Sequence, residues 1–108
     1  MNKQNIQFSN DKQDDRPLGD YGKMANLYLE ENQSFLHVTL MMEGELMNYL
    51  HRAEDKAIEE EIHLTKEALK KYPYPSEANP LQREKHLQVL ISQVREVVRE
   101  HMIQNLNN

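Results

Sequence analysis

Cysteine and tryptophan are both missing from the 108 residues, and glycine and proline number only three and four. Without thiols there is no disulfide staple, no thiolate zinc site and no cysteine nucleophile, and a cytoplasmic setting is the natural expectation. Long apolar runs are missing too. No 18 consecutive apolar residues occur, and the polar start Met1 to Arg16 has no apolar stretch of signal-peptide length, so neither a membrane span nor export by that route is expected. Alternation of Val, Ile and Thr, the mark of a half-buried strand, is also lacking, while Ala, Leu, Glu, Lys, Gln, Met and Arg are abundant. The chain is therefore expected to be all-α, and at this length to form one small domain. A formal charge of -5 argues against nonspecific coating of nucleic acid or anionic membrane and leaves only a local basic stripe to consider.

Residues 1–16 hold two sizeable apolar groups, Ile6 and Phe8, too few to offset roughly 1 to 2 kcal/mol of backbone ordering per residue. They are expected to form a flexible N-terminal tail, with a single helical domain over 17–108. After Pro17-Leu18-Gly19, Asp20 is a candidate N-cap for a short helix carrying Met24, Leu27, Tyr28 and Glu31. Asn32 is a candidate cap for a second short helix with Phe35, Val38, Thr39 and Met42 along one stripe and Leu36 and Leu40 beside it. Gly44 then interrupts, although the apolar rhythm continues through it, and a break there is preferred to a kinked rod.

Leu46, Leu50, Ala53, Ala57, Glu60, Leu64 and Ala68 advance in helical steps to about Lys71, with Ile58 broadening the stripe. Prolines at 73, 75 and 80 enforce a turn, and Asn79-Pro80-Leu81-Gln82 has the chemistry of a capping box opening a last helix that runs to near Leu106. Leu87, Leu90, Ile91, Val94, Val97, Val98 and Met102 give that helix a wide apolar face. The architecture expected is two short N-terminal helices followed by a long antiparallel helical hairpin. Leu50, Ala57, Leu64, Leu87, Val94 and Val98 are expected in its seam, with Tyr28, Phe35 and Met42 packing across it. Such wide stripes need covering, either by the two short helices or by a second copy of the chain.

Chemistry-bearing patterns are sparse. Glu60-Glu61-Ile62-His63 contains one Glu-x-x-His, the spacing found in di-iron bundles, but no second copy follows, and solvated charge is the preferred reading. His51 and Asp55, like Glu59 and His63, are four apart and suit pairing on a helix surface. No serine sits in a nucleophile elbow and no glycine loop is built to cradle phosphate. Lys85, Gln88, Ser92, Arg95 and Arg99 form a polar stripe along the last helix. As a recognition helix it offers three cations, Lys85, Arg95 and Arg99, diluted by Glu84, Glu96 and Glu100, and a solvent face of paired charges is favoured. No catalytic, cofactor-binding or metal-binding residue is assigned, and no enzyme is expected.

The runs Pro17-Leu18-Gly19-Asp20-Tyr21-Gly22-Lys23-Met24, Tyr28-Leu29-Glu30-Glu31 and Leu40-Met41-Met42-Glu43-Gly44-Glu45-Leu46 resemble the transposon-encoded TnpV family, small proteins carried by mobile elements. The likeness is most specific between Pro17 and Leu50. Family members tend to carry more Arg and Lys where this chain has Ala25-Asn26-Leu27, and Pro where Ser34 stands, which weakens a DNA-contact reading. The resemblance implies a mobile-element setting and a helical fold, and it transfers no active-site position. The expectation is a non-enzymatic helical accessory or interaction protein, partnered by another protein or by itself. The alternative is a DNA-binding accessory using the last helix or the first two.

Overall fold

A computed structural model describes residues 15–107. Among them the chain is all-α: α1 Asp20–Asn32, α2 Ser34–Met42, α3 Leu46–Lys71 and α4 Pro80–Leu106, with no strand. Of the tail expected over 1–16, residues 1–14 lie outside the described residues. Two compact units divide the chain, with their boundary between Glu54 and Asp55 inside α3.

In the first unit both expected N-caps move by one position, to Gly19 for α1 and to Gln33 for α2. Gly19, in extended conformation, is the N-cap of α1, and Asp20 is its first helical residue, where a carboxylate favours the positive end of the helix. Asn32 closes α1 instead of opening α2, and its side-chain amide donates to the Tyr28 carbonyl at 3.1 Å. One residue makes the corner. The Gln33 amide donates to the Leu29 carbonyl at 2.8 Å while its own carbonyl accepts from the His37 amide at 3.0 Å. Gln33 thus ends one ladder and begins the next, leaving no gap for a separate cap.

The break at Gly44 is made by backbone geometry. Gly44 has φ 71°, the left-handed region; its amide donates to the Met41 carbonyl at 3.1 Å, and the Glu45 amide donates to the Leu40 carbonyl at 2.9 Å. These two bonds form a Schellman motif, which satisfies the last carbonyls of α2. Inside the unit, Tyr21, Ala25, Leu29 and Leu50 are buried, Ala25 and Leu29 completely.

In the second unit, the rest of α3 and α4 form the antiparallel hairpin. Tyr72 meets His86, Glu61 meets Arg95 and Glu60 meets His101, so partners descend α3 as they ascend α4. The capping box is present: the Gln82 amide donates to Asn79 Oδ1 at 2.8 Å, and the Asn79 amide donates to Gln82 Oε1 at 2.9 Å, with Pro80 at the first position. Within the turn, the Ala78 amide donates to the Pro75 carbonyl at 3.1 Å.

Leu90, Val94, Val98, Met102 and Leu106 are buried on α4, stepping by four each time. Four residues overshoot a 3.6-residue turn by about 40°, so the buried stripe winds around α4 instead of running along one side. That winding explains why Val97 on α4 remains 42% exposed despite its place in the wide face read from the sequence. Ile58, which broadens the stripe on α3, is likewise 43% exposed. Of the expected seam residues, Leu50, Ala57, Val94 and Val98 are buried, and Leu64 and Leu87 are half-buried.

Replacing Gly44 by Ala forces a side chain into left-handed backbone, and Gly44→Ala is expected to lower the unfolding free energy by about 1 to 2 kcal/mol. Denaturant melts followed by circular dichroism check this. Unchanged stability would mean that α2 and α3 can join without the turn.

Candidate functional site

The N-terminus of α1 is where the first unit concentrates its buried polar groups. Gly19 as N-cap has no side chain to offer the first-turn amides, and α3 supplies what is missing. Glu54 Oε2 accepts from the Gly22 amide at 3.0 Å, although 32 residues separate them. This is an N-cap made from another helix: a carboxylate on an open first-turn amide, at the positive end of the helix dipole. Two glycines make room for it. A Cβ on Gly19 would stand 2.7 Å from Glu54 Oε2, and one on Gly22 would stand 3.1 Å from the same oxygen and 2.7 Å from Leu18 Cδ2.

Glu54 is 6% exposed and His51, one turn earlier on α3, is 3% exposed. The His51 Nε2 atom donates to the Arg16 carbonyl at 2.7 Å; a carbonyl can only accept, so that nitrogen carries the hydrogen. His51 Nδ1 lies 3.8 Å from Glu54 Oε1. That separation exceeds hydrogen-bond reach, so the pair is not poised for direct proton transfer, and Glu54 is engaged as a cap. His51, whose spacing fits Asp55, thus also stands beside Glu54 and ties the chain ahead of α1 to α3.

α2 divides its apolar residues between two sides, with Leu36 and Leu40 half-buried. Its one buried residue is His37, which bonds through Nε2 to Asn26 Oδ1 of α1 at 2.8 Å, the amide oxygen accepting. Phe35 and Met42 are 86% and 83% exposed, and Val38 and Met41 are 50% and 56% exposed. Phe35 and Met42 therefore do not pack across a seam as expected from their spacing; Tyr28 is half-buried. His37, with Leu36 and Leu40 half-buried beside it, holds the inward side, and the stripe through Phe35, Val38 and Met42 faces outward. An exposed apolar patch on a small domain is a recognised mark of a contact site.

The second unit places the remaining candidates. Arg95 Nε donates to Glu61 of α3 at 3.3 Å, and Arg99 donates to Glu96 on its own helix. The hydrogen bond that Arg99 donates to Glu96, reinforced by the carboxylate's charge, raises the Arg99 pKa above the ordinary arginine value. Lys85 is exposed beside Gln88 and Ser92 on an open face of α4. The stripe is thus present, and two of its three cations are engaged with carboxylates. Glu60 is turned to His101 Nδ1, 2.5 Å away on α4. Among the described residues no group of three or more His, Asp or Glu stands where it could hold a metal ion.

Sequence spacing rules His86 out of a second Glu-x-x-His and gives it no other role. Its Nε2 donates to the Tyr72 carbonyl at 2.7 Å, its ring lies 5.6 Å from that of Tyr74, and Arg83 sits over Tyr74 at 5.7 Å. Together they clasp the hairpin turn. No spacing rule signals such a contact, because it joins residues across a turn whose geometry only the fold sets.

These features define a small all-helical protein in which, among the described residues, the two most exposed large apolar side chains, Phe35 and Met42, sit on one short helix. The chain belongs to the family of the transposon-encoded protein TnpV, whose model matches residues 3–106. That match extends well beyond the stretch from Pro17 to Leu50 that carries the most specific likeness. Comparison with curated proteins and with solved structures finds no match. Among the described residues no helix is long and apolar enough to cross a membrane.

Ala has a helix propensity about 1 kcal/mol better than Gly, so propensity alone makes Gly22→Ala stabilising. The contacts with Leu18 and Glu54 reverse the sign: the variant is expected to lose about 1 to 2 kcal/mol. Glu54→Ala, which removes the acceptor from a first-turn amide, is expected to lose about 1.5 to 3 kcal/mol. Chemical denaturation measures both, and a stabilised Gly22→Ala protein would contradict the cap.

Proposed function

We propose that this protein is a non-enzymatic accessory of its mobile element, working in the cytoplasm through an apolar helical surface that contacts another protein or a second copy of itself. One observation carries the proposal: α2 buries a histidine and exposes Phe35, Val38, Met41 and Met42. Burying a Phe or Met side chain is worth about 1.5 to 3 kcal/mol, so a helix turned this way has a surface whose favourable state is a covered one. The buried Glu54 and His51 are engaged in joining α1 to α3, a structural use that supports a non-enzymatic role.

A DNA-binding accessory acting through α4 has weaker support. Arg95 and Arg99 are each paired with a carboxylate, and displacing those partners subtracts from whatever phosphate contacts would return. Binding of element-end DNA measured at about 50 mM salt, where phosphate contacts are strongest, tests this reading directly.

Site-specific photo-crosslinking tests the protein-contact proposal. With a benzophenone amino acid in place of Phe35, in host cells carrying the element, a protein adduct of discrete mass is expected. The same probe at Glu59, an exposed polar position on α3, is expected to give none. Identical patterns at both positions, or no adduct at 35, would overturn the proposal.

A further inference from the structure

The four exposed apolar side chains of α2 lie on a helix without a charged side chain among its nine residues, apart from the imidazole of the inward-facing His37. Phe35, Val38 and Met42 fall within an arc of about 60° and span roughly 10 Å along the axis, forming one narrow ridge. Acids stand at both ends. Glu30 and Glu31 close α1 just before the ridge, Glu43 and Glu45 follow it in the turn, and all four are exposed. Within residues 15–54 there are seven carboxylates against three cations, Arg16, Lys23 and Arg52. The ridge is therefore flanked along the chain by two exposed carboxylates on each side, in a unit whose described residues carry more acids than bases.

That charge pattern selects the occupant. A second copy laid along α2, parallel or antiparallel, brings two carboxylates onto two carboxylates at each end, and like charges in apposition oppose docking. Four apolar residues also fall far short of the roughly 20 to 30 residues a side used by a standard dimer interface. A single amphipathic helix needs only a few anchors at positions i, i+3, i+4 and i+7, which a ridge of this length can meet. We infer that the α2 face docks a basic amphipathic helix of another protein, whose apolar side chains cover Phe35, Val38 and Met42 and whose Lys or Arg residues face Glu30, Glu31, Glu43 and Glu45. This rests on the reading of α2 as a contact surface and specifies its partner.

The test titrates full-length protein into a fluorescein-labelled Leu/Lys peptide of about 18 residues, five helical turns, with Leu at positions i, i+3 and i+4 of each seven-residue repeat. A scrambled peptide of identical composition is the control. Saturable binding is expected, weakened tenfold or more by scrambling and by the Phe35→Ser, Met42→Ser double variant, which changes side chains already in water. Glu43→Gln with Glu45→Gln is expected to weaken binding and flatten its salt dependence, a readout that holds even if the first variant loses its fold. Equal binding of the scrambled peptide, or undiminished binding by both variants, would overturn the inference. Sedimentation equilibrium separates the two levels. A dimer that Phe35→Ser and Met42→Ser convert to monomer overturns the basic partner and keeps α2 as a contact surface. A monomer that binds neither peptide and gives no adduct from position 35 removes both.

Discussion

A carboxylate seated in the N-terminus of a neighbouring helix is the constraint on which the first unit depends. Glu54 is nearly excluded from water, and a buried carboxylate without partners is costly. It is retained because α1 presents an open amide at Gly22 and the positive end of its dipole, and because neither Gly19 nor Gly22 puts a Cβ in the way. The same few residues therefore position α1 against α3, and His51 adds a second tie through the Arg16 carbonyl. With α1 held, Asn26 can receive His37, and α2 is fixed with its imidazole inward, Leu36 and Leu40 half-buried beside it, and Phe35, Val38 and Met42 outward. The exposed ridge is in this sense a consequence of satisfied polar groups elsewhere.

Two of the segments that carry the family likeness acquire a physical meaning from this arrangement. Pro17 to Met24 contains the glycines that admit Glu54. Leu40 to Leu46 contains the left-handed glycine and the carbonyls that complete the Schellman turn. Both segments set backbone geometry around α2, one upstream and one downstream. The proposed contact role rests on this framing of α2, whose Phe35, Val38 and Met42 face solvent.

The sequence made some of this legible and concealed the rest for identifiable reasons. The bounds of α3 and α4, the turn between them and the Asn79–Gln82 capping box follow from local signals, periodicity and cap chemistry, which need no knowledge of distant residues. The break at Gly44 was visible as a glycine, and its mechanism lies in a φ value and two backbone bonds. Periodicity misplaced Phe35 and Met42 because it registers that apolar residues share a face and is silent on which face turns inward. In α2 the inward side holds His37, bonded to Asn26, with Leu36 and Leu40 half-buried beside it. The cap from Glu54 was hidden more deeply, since a Glu in a charged helix and a glycine at a helix start each have ordinary local explanations, and only their meeting across 32 residues gives them a joint role.

Amide hydrogen exchange at Gly22 tests this joint role most directly. A first-turn amide with no acceptor exchanges close to the rate of an unstructured chain, whereas one bonded to a buried carboxylate is released only when the unit opens. Slow exchange at Gly22 in the unaltered protein, rising toward the unstructured rate in Glu54→Ala, is the predicted result. Fast exchange at Gly22 with Glu54 in place would contradict the tie between α1 and α3, and with it the reason given for the outward turn of α2.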